Sequence, residues 1–240
     1  KNVTANLDAY ELGIAVQNVY DFIWDEYCDW YIEMVKPRLY NQEDPTREAA
    51  LWTLKTVLIN ALKLLHPFMP FVTEEIFTSI QSEEETIMLS KWPEYSEEFN
   101  FADDEKAIEL MKEAIKSIRN IRAEMNVAPS KKANVIVVSE NDEVRSIFEK
   151  GKVFFAPLAY ASDVTVQADK AGISDDAVST AIHNGMIYMP FAELVDIAKE
   201  KERLAKEKEK LIKEVERVER KLSNQGFVSK APEKVINEEK

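Results

Sequence analysis

Residues 193–222 constrain this chain more than any other stretch. They run thirty positions without Gly or Pro, and their apolar residues keep a seven-residue period. One core position holds Ile197, Leu204, Leu211 and Val218. The other holds Leu194, Lys201, Lys208, Val215 and Leu222. That is the seam of a coiled coil. Ser223-Asn224-Gln225-Gly226 then supplies a helix stop, with Gly for a left-handed cap. Pro232 suits the first turn of a returning helix. The outgoing helix spans about 45 Å, so the few residues after Pro232 cover little of it. With Lys1 in place of an initiating Met, the expectation is a piece of a larger protein.

Upstream, two further patterns follow one another. Residues 7–36 have helical periodicity and many aromatics, and Pro37 is expected to end them. Thr46 is placed to cap a helix that runs to His66-Pro67. Pro70 and Thr73 open a third, residues 82–100 form a long connection, and a fourth helix covers about 103–125. Helices of this length joined by short links make a bundle. After Pro129 the period falls to two. Residues 134–139 and 163–167 read as strands around a helical stretch at 142–160. Asn184-Gly185 between 178–183 and 186–191 signals a type I′ hairpin. The expected fold is mainly α. A helical bundle over 1–128 precedes a small α/β subdomain over 129–191 with a mainly antiparallel sheet, and a coiled-coil arm occupies 192–240.

Composition excludes several classes. No apolar run is long enough to span a bilayer. The single Cys28 rules out an internal disulfide and suits a reducing, cytoplasmic setting. One Cys and the distant His66 and His183 make no zinc site. No Gly-rich phosphate loop, nucleophile motif or paired His occurs, so no catalytic residue is assigned. Cys28 reads as a core residue, His66 as a local cap or packing residue, and His183 as exposed. The net charge of −13 is unevenly spread. Residues 1–100 carry 7 Lys+Arg against 18 Asp+Glu, whereas residues 192–240 carry 13 against 12. Whole-chain acidity therefore says little about the partners of the second half.

Two basic groups stand out. On the fourth helix Lys112, Lys116, Arg119 and Arg122 fall within about 120° at 100° per residue, and Lys131 and Lys132 follow. Such a cluster fits a phosphate backbone; an ordinary solvated face is the other reading. On the arm, Lys199, Arg203, Lys206, Lys210, Lys213, Arg217 and Arg220 occupy the outer heptad positions, with Glu202, Glu209 and Glu216 beside them. They form a ribbon of about 30 Å for RNA phosphates, or i, i+4 pairs that steady an exposed helix. The aromatics at 20–31 are a base-stacking platform or, at helical spacing in a bundle, core.

Several segments together resemble a known family. Asp29-Trp30-Tyr31-Ile32-Glu33 with Lys36-Pro37, and Leu65-His66-Pro67-Phe68-Met69-Pro70-Phe71 with Thr73-Glu74-Glu75-Ile76, resemble the helical anticodon-binding domain of class I aminoacyl-tRNA synthetases. So does Ile118-Arg119-Asn120-Ile121-Arg122-Ala123-Glu124-Met125 followed by Pro129-Ser130-Lys131-Lys132. These segments suit the isoleucyl and leucyl enzymes in part. Lys221-Leu222-Ser223-Asn224, Gly226-Phe227-Val228 and Lys230-Ala231-Pro232 are similar to the coiled-coil arm of the valyl branch. The resemblance implies that the bundle meets the anticodon stem-loop of a valine-specific tRNA and that the arm reaches toward the tRNA elbow. The nucleotide-binding catalytic domain and the editing domain have no counterpart here. The resemblance therefore places ATP and the joining of valine to tRNA in a parent enzyme and implies no cofactor and no activity for this chain alone. It assigns no base-reading residue. The competing expectation is a helical protein-interaction adaptor acting through its coiled coil. A homodimer through the same arm is also expected of the isolated chain.

Overall fold

Apolar periodicity near four makes residues 2–65 helical, and the computed structural model shows where that helix is interrupted. It describes residues 1–195 and 197–223; at 197–200, 202–204 and 221 the description is of the backbone alone. Two compact units result, Lys1–Ile108 and Glu109–Lys240.

The first unit is all helical. α1 (Asn2–Asp8) ends at Tyr10, which adopts a left-handed φ of 59° before α2 (Leu12–Asp21) begins. α2 continues directly into a π-helix, Phe22–Ile32, and then α3 (Glu33–Tyr40). Pro37 therefore lies inside a helix and does not end one. Proline lacks the donor for the carbonyl four residues back. That carbonyl belongs to Glu33, the first residue after the π-helix, where the bonding pattern already changes register. α4 (Arg47–Leu65) starts after Thr46 as expected, but the Thr46 hydroxyl makes no cap bond. It accepts from Arg38 Nε at 2.8 Å and donates to Asp44. α5 (Pro70–Ile80) has Pro70 in its first turn. Leu62, Phe77 and Ile87 form a buried cluster, with Leu58, Ile59 and Ile80 packed against it. His66 and Thr73 share a hydrogen bond of 2.7 Å, and the Thr73 hydroxyl donates to the Met69 carbonyl. The proton between His66 and Thr73 is thus the imidazole's, which makes His66 a tie between helix ends.

Tyr27 fixes the π-helix to α4 through its hydroxyl, which donates to the Leu54 carbonyl at 3.0 Å. Burial, with smaller effects of Cys28 and Tyr31, pushes the Tyr27 pKa from 10.0 to about 12. The folded state thus holds this proton more tightly than the unfolded one. The contribution to stability is complete below pH 10 and is lost as pH rises through about 12. Urea midpoints are expected to fall across that window, and Tyr27→Phe is expected to flatten the fall.

α6 (Ala102–Glu124) runs across the boundary between the units. The second unit is built on a four-stranded sheet in the order β2-β1-β4-β3. β1 (Ala133–Val138) and β2 (Ala161–Gln167) are parallel, joined by the crossover α7 (Asp142–Gly151) and α8 (Phe155–Ala159). β4 (Gly185–Met189) pairs antiparallel with β1 and with β3 (Val178–Ile182). Two of the three pairings are antiparallel, so the sheet is mixed, with the crossover supplying its parallel pair. Asn141 caps α7 by accepting from the amides of Glu143 and Val144. The hairpin sits one residue earlier than its dipeptide signal. Ile182 pairs with Gly185, so His183 and Asn184 form the loop, and only Asn184 has positive φ, 56°. Gly185 lies within β4, where a Cβ would stand 3.0 Å from the Val138 carbonyl oxygen. Glycine there permits close approach of β4 to β1.

α9 (Phe191–Leu194) is a separate short helix ending at Val195, whose backbone is extended. Leu194 is therefore not the first residue of the arm's seam: it is 2% exposed and belongs to the core of the second unit. The arm helix is α10 (Ile197–Ser223). Of the expected stop at 223–226, Ser223 is still within α10, and 224–226 with the returning helix lie outside the described residues.

Candidate nucleic-acid interface

The six cations around the end of α6 do not form one exposed face. Lys112 is 2% exposed, with its ammonium 2.6 Å from the Glu109 carboxylate. Arg122 is 4% exposed. One Arg122 nitrogen, Nη2, donates to the carbonyls of Ala128 (3.0 Å) and Lys131 (2.7 Å). The guanidinium lies 5.2 Å from the centre of the Tyr160 ring, and burial lowers its pKa while Tyr160 acts the other way. Arg119 donates from Nε to the Leu158 carbonyl at 2.7 Å, which ties α6 to α8. Lys116 and Lys132 are exposed, and Lys131 is half-buried.

A solvated arc of cations on α6 requires the apolar side to lie opposite it, where Leu110, Ala114, Ile118 and Ile121 are buried. Met111 and Ile115 are buried as well. At 100° per residue Arg122 falls between those two, which is the sequence signal that separates it from the solvated cations. It holds the turn at 126–131, where Asn126 adopts φ 52° and Val127 donates its amide to the Arg122 carbonyl.

The arm departs less from expectation. Lys206, Lys210, Lys213, Arg217 and Arg220 are exposed along α10. Lys213 pairs with Glu209 at 2.6 Å, Arg217 with Glu214 at 2.6 Å, and Arg220 approaches Glu216 at 3.9 Å. Both proposed uses of the ribbon are compatible, because exposed ion pairs are worth only about 0–1 kcal/mol and yield readily to a phosphate. The side chains of Lys199, Arg203 and Glu202 lie outside the described residues.

The aromatics divide. Tyr27 and Trp30 are buried, whereas Tyr20 and Trp24 are exposed and stacked. Cys28 is half-buried, and burial with nearby Asp29 raises its pKa, the opposite of an activated thiol. Exposed His183 donates its amide to the Glu113 carboxylate at 3.1 Å. Among the described residues, no helix is long and apolar enough to cross a membrane, and no cluster of His, Cys, Asp or Glu is arranged to hold a metal ion.

A helical unit followed by a small mixed sheet and a basic helical arm has clear relatives. Residues 1–137 match the family described as the anticodon-binding domain of tRNA ligase, and the chain belongs to that family. Residues 196–240 match the valyl tRNA synthetase tRNA binding arm. Over 240 residues the chain is 49% identical to the valine–tRNA ligase of Clostridium perfringens and 51% identical to that of Clostridium tetani, covering all of this chain and 27% of each relative. The valine–tRNA ligase of Carboxydothermus hydrogenoformans is 42% identical over 238 residues, covering 99% of this chain and 27% of that protein. The chain thus spans about a quarter of the length of the curated relatives it matches. These likenesses do not favour the adaptor reading.

Proposed function

We propose that this chain is the tRNA-holding C-terminal region of a cytoplasmic valine–tRNA ligase. The joining of valine to tRNA, and the ATP it consumes, belong to the parts of the ligase outside this chain. The exposed basic ribbon of α10 carries the reading, beside the likeness of residues 196–240 to a tRNA binding arm. The work divides naturally. The bundle over 1–128 takes the anticodon stem-loop, because splayed loop bases are what a protein surface can read in RNA. The subdomain over 129–191 carries the arm, and the arm over 192–240 grips backbone toward the elbow without reading sequence.

The test is binding of tRNA, beside an unrelated RNA, across a range of salt. Neutralising Lys206, Lys210, Lys213, Arg217 and Arg220 should weaken binding and flatten the salt slope by about one unit for each cation that meets a phosphate. Lys116, Lys131 and Lys132 form a second set, with a smaller expected change. Arg122 is left intact, since its loss would disturb the turn that bears Lys131. An unchanged slope in both sets would remove these cations from the interface.

Self-association through the arm is a second reading. Leu211, Ile212 and Val215 are 59%, 47% and 55% exposed on α10. Fully burying such a side chain is worth roughly 1.5–3 kcal/mol, part of which is forgone at these exposures, and an isolated amphipathic helix is marginal in water. At high concentration light scattering is expected to show a loose dimer that a version ending at Val195, which keeps α9 and removes α10, does not form. Lys201 and Lys208 at core positions keep it loose. Monomers of both versions, with α10 still fully helical in the longer one, would exclude it.

A further inference from the structure

Tyr20 and Trp24 stand one turn apart where α2 passes into the π-helix. Their rings are stacked, with centroids 6.4 Å apart and planes 6° from parallel. Each is 56% exposed, while Tyr27 and Trp30 further along are buried. The pair therefore presents an aromatic patch on the open side of this helix, beside Phe22, which is also exposed. Aromatic rings are among the largest apolar payloads a chain carries, and a base would stack on such a patch.

The charge around it points elsewhere. From Asn2 to Val35 the chain has no Lys or Arg and seven Asp or Glu. Asp21, Asp25 and Glu26 are exposed beside the pair. A phosphate backbone brought to this segment meets repulsion from the carboxylates that the segment itself carries. An aromatic centre with a charged rim is instead the anatomy of a protein interface, and the acidic rim selects a partner with Lys and Arg around an apolar depression.

We propose that Tyr20 and Trp24 form the seat on which the rest of the ligase docks. The chain spans 27% of its valine–tRNA ligase relatives, so a body nearly three times its size lies outside this structure. In those relatives that body belongs to the same chain, and this patch offers it an apolar anchor with an acidic rim. The inference goes beyond tRNA binding and rests only on family membership. A failure of the salt-slope experiment would leave it untouched.

Hydroxyl-radical footprinting tests it, with oxidation of Tyr20 and Trp24 read by mass spectrometry. The samples are this chain and the full-length ligase that contains it, each with and without tRNA, with buried Trp30 as internal reference. The expected result is ready oxidation in this chain, severalfold protection in the tRNA-free ligase, and no further change when tRNA is added. Equal oxidation in both proteins overturns the proposal. Protection that appears only with tRNA overturns it in favour of a base platform. Protection in this chain alone that grows with concentration overturns it in favour of a second copy.

Discussion

Arg122→Ala is expected to lower the unfolding free energy of the second unit by roughly 3 kcal/mol. The substitution removes two charge-assisted hydrogen bonds, to the carbonyls of Ala128 and Lys131, and leaves both acceptors without that donor. It also removes the cation from beneath Tyr160. One term works the other way. Arg122 Nη1 is buried without a partner, and deleting it relieves a desolvation cost. The net therefore falls near the loss of two charge-assisted hydrogen bonds at the low end of their range, about 1.5 kcal/mol each. Arg122→Lys tests the geometry. A single ammonium keeps the charge but lacks the planar fork, so it should recover only part of the loss. Urea unfolding followed by far-UV circular dichroism measures both variants. A loss below about 1 kcal/mol, the range of an exposed pair, would mean that Arg122 is not the tie that the geometry makes it.

Arg122 also marks the limit of reading a site from spacing. The existence of the helices, the change to a period of two after Pro129 and the basic ribbon of the arm were all legible, because each is a repeated pattern that no single residue decides. The cluster on α6 was not. An arc drawn on a helix assumes one covered side, and α6 buries Met111 and Ile115 beyond the side assumed. Arg122 then lies among buried residues, and a cation that looks like a phosphate ligand becomes a brace for a turn. Leu194 erred in the opposite direction. It fits the heptad of the arm by number, but one extended residue, Val195, separates it from α10. Pro37 and the hairpin at 183–184 share a cause as well. Local rules for proline and Asn-Gly describe isolated turns, whereas the π-helix before Glu33 and the fit of Gly185 against Val138 are set by packing over many residues. The exposed Tyr20–Trp24 pair carried no local signal that separated it from buried Tyr27 and Trp30. What sets it apart is which side of the helix the rest of the unit covers.

The core of the second unit offers the largest expected effect. Phe148 on α7 and Phe155 on α8 are each 0% exposed, with ring centroids 5.9 Å apart and planes tilted by 57°. That is the offset geometry aromatic pairs favour, worth about 0.5–1.5 kcal/mol beyond the area they bury. Both rings sit on the crossover that makes β1 and β2 parallel, so their packing holds the crossover in place. Phe148→Ala removes the ring, leaves a cavity and unpairs Phe155, and is expected to cost about 4 kcal/mol. Phe148→Leu retains most of the volume and should cost much less. The two units can be followed separately, because all four tryptophans, Trp24, Trp30, Trp52 and Trp92, lie in the first. Tryptophan emission therefore reports on residues 1–108, whereas far-UV circular dichroism reports on both units. Since Phe148 and Phe155 both lie within the second unit, the dichroism transition is expected to broaden toward lower urea while the emission midpoint stays in place. A matching shift of the emission midpoint would show instead that α6, which crosses the boundary, makes the two units unfold as one.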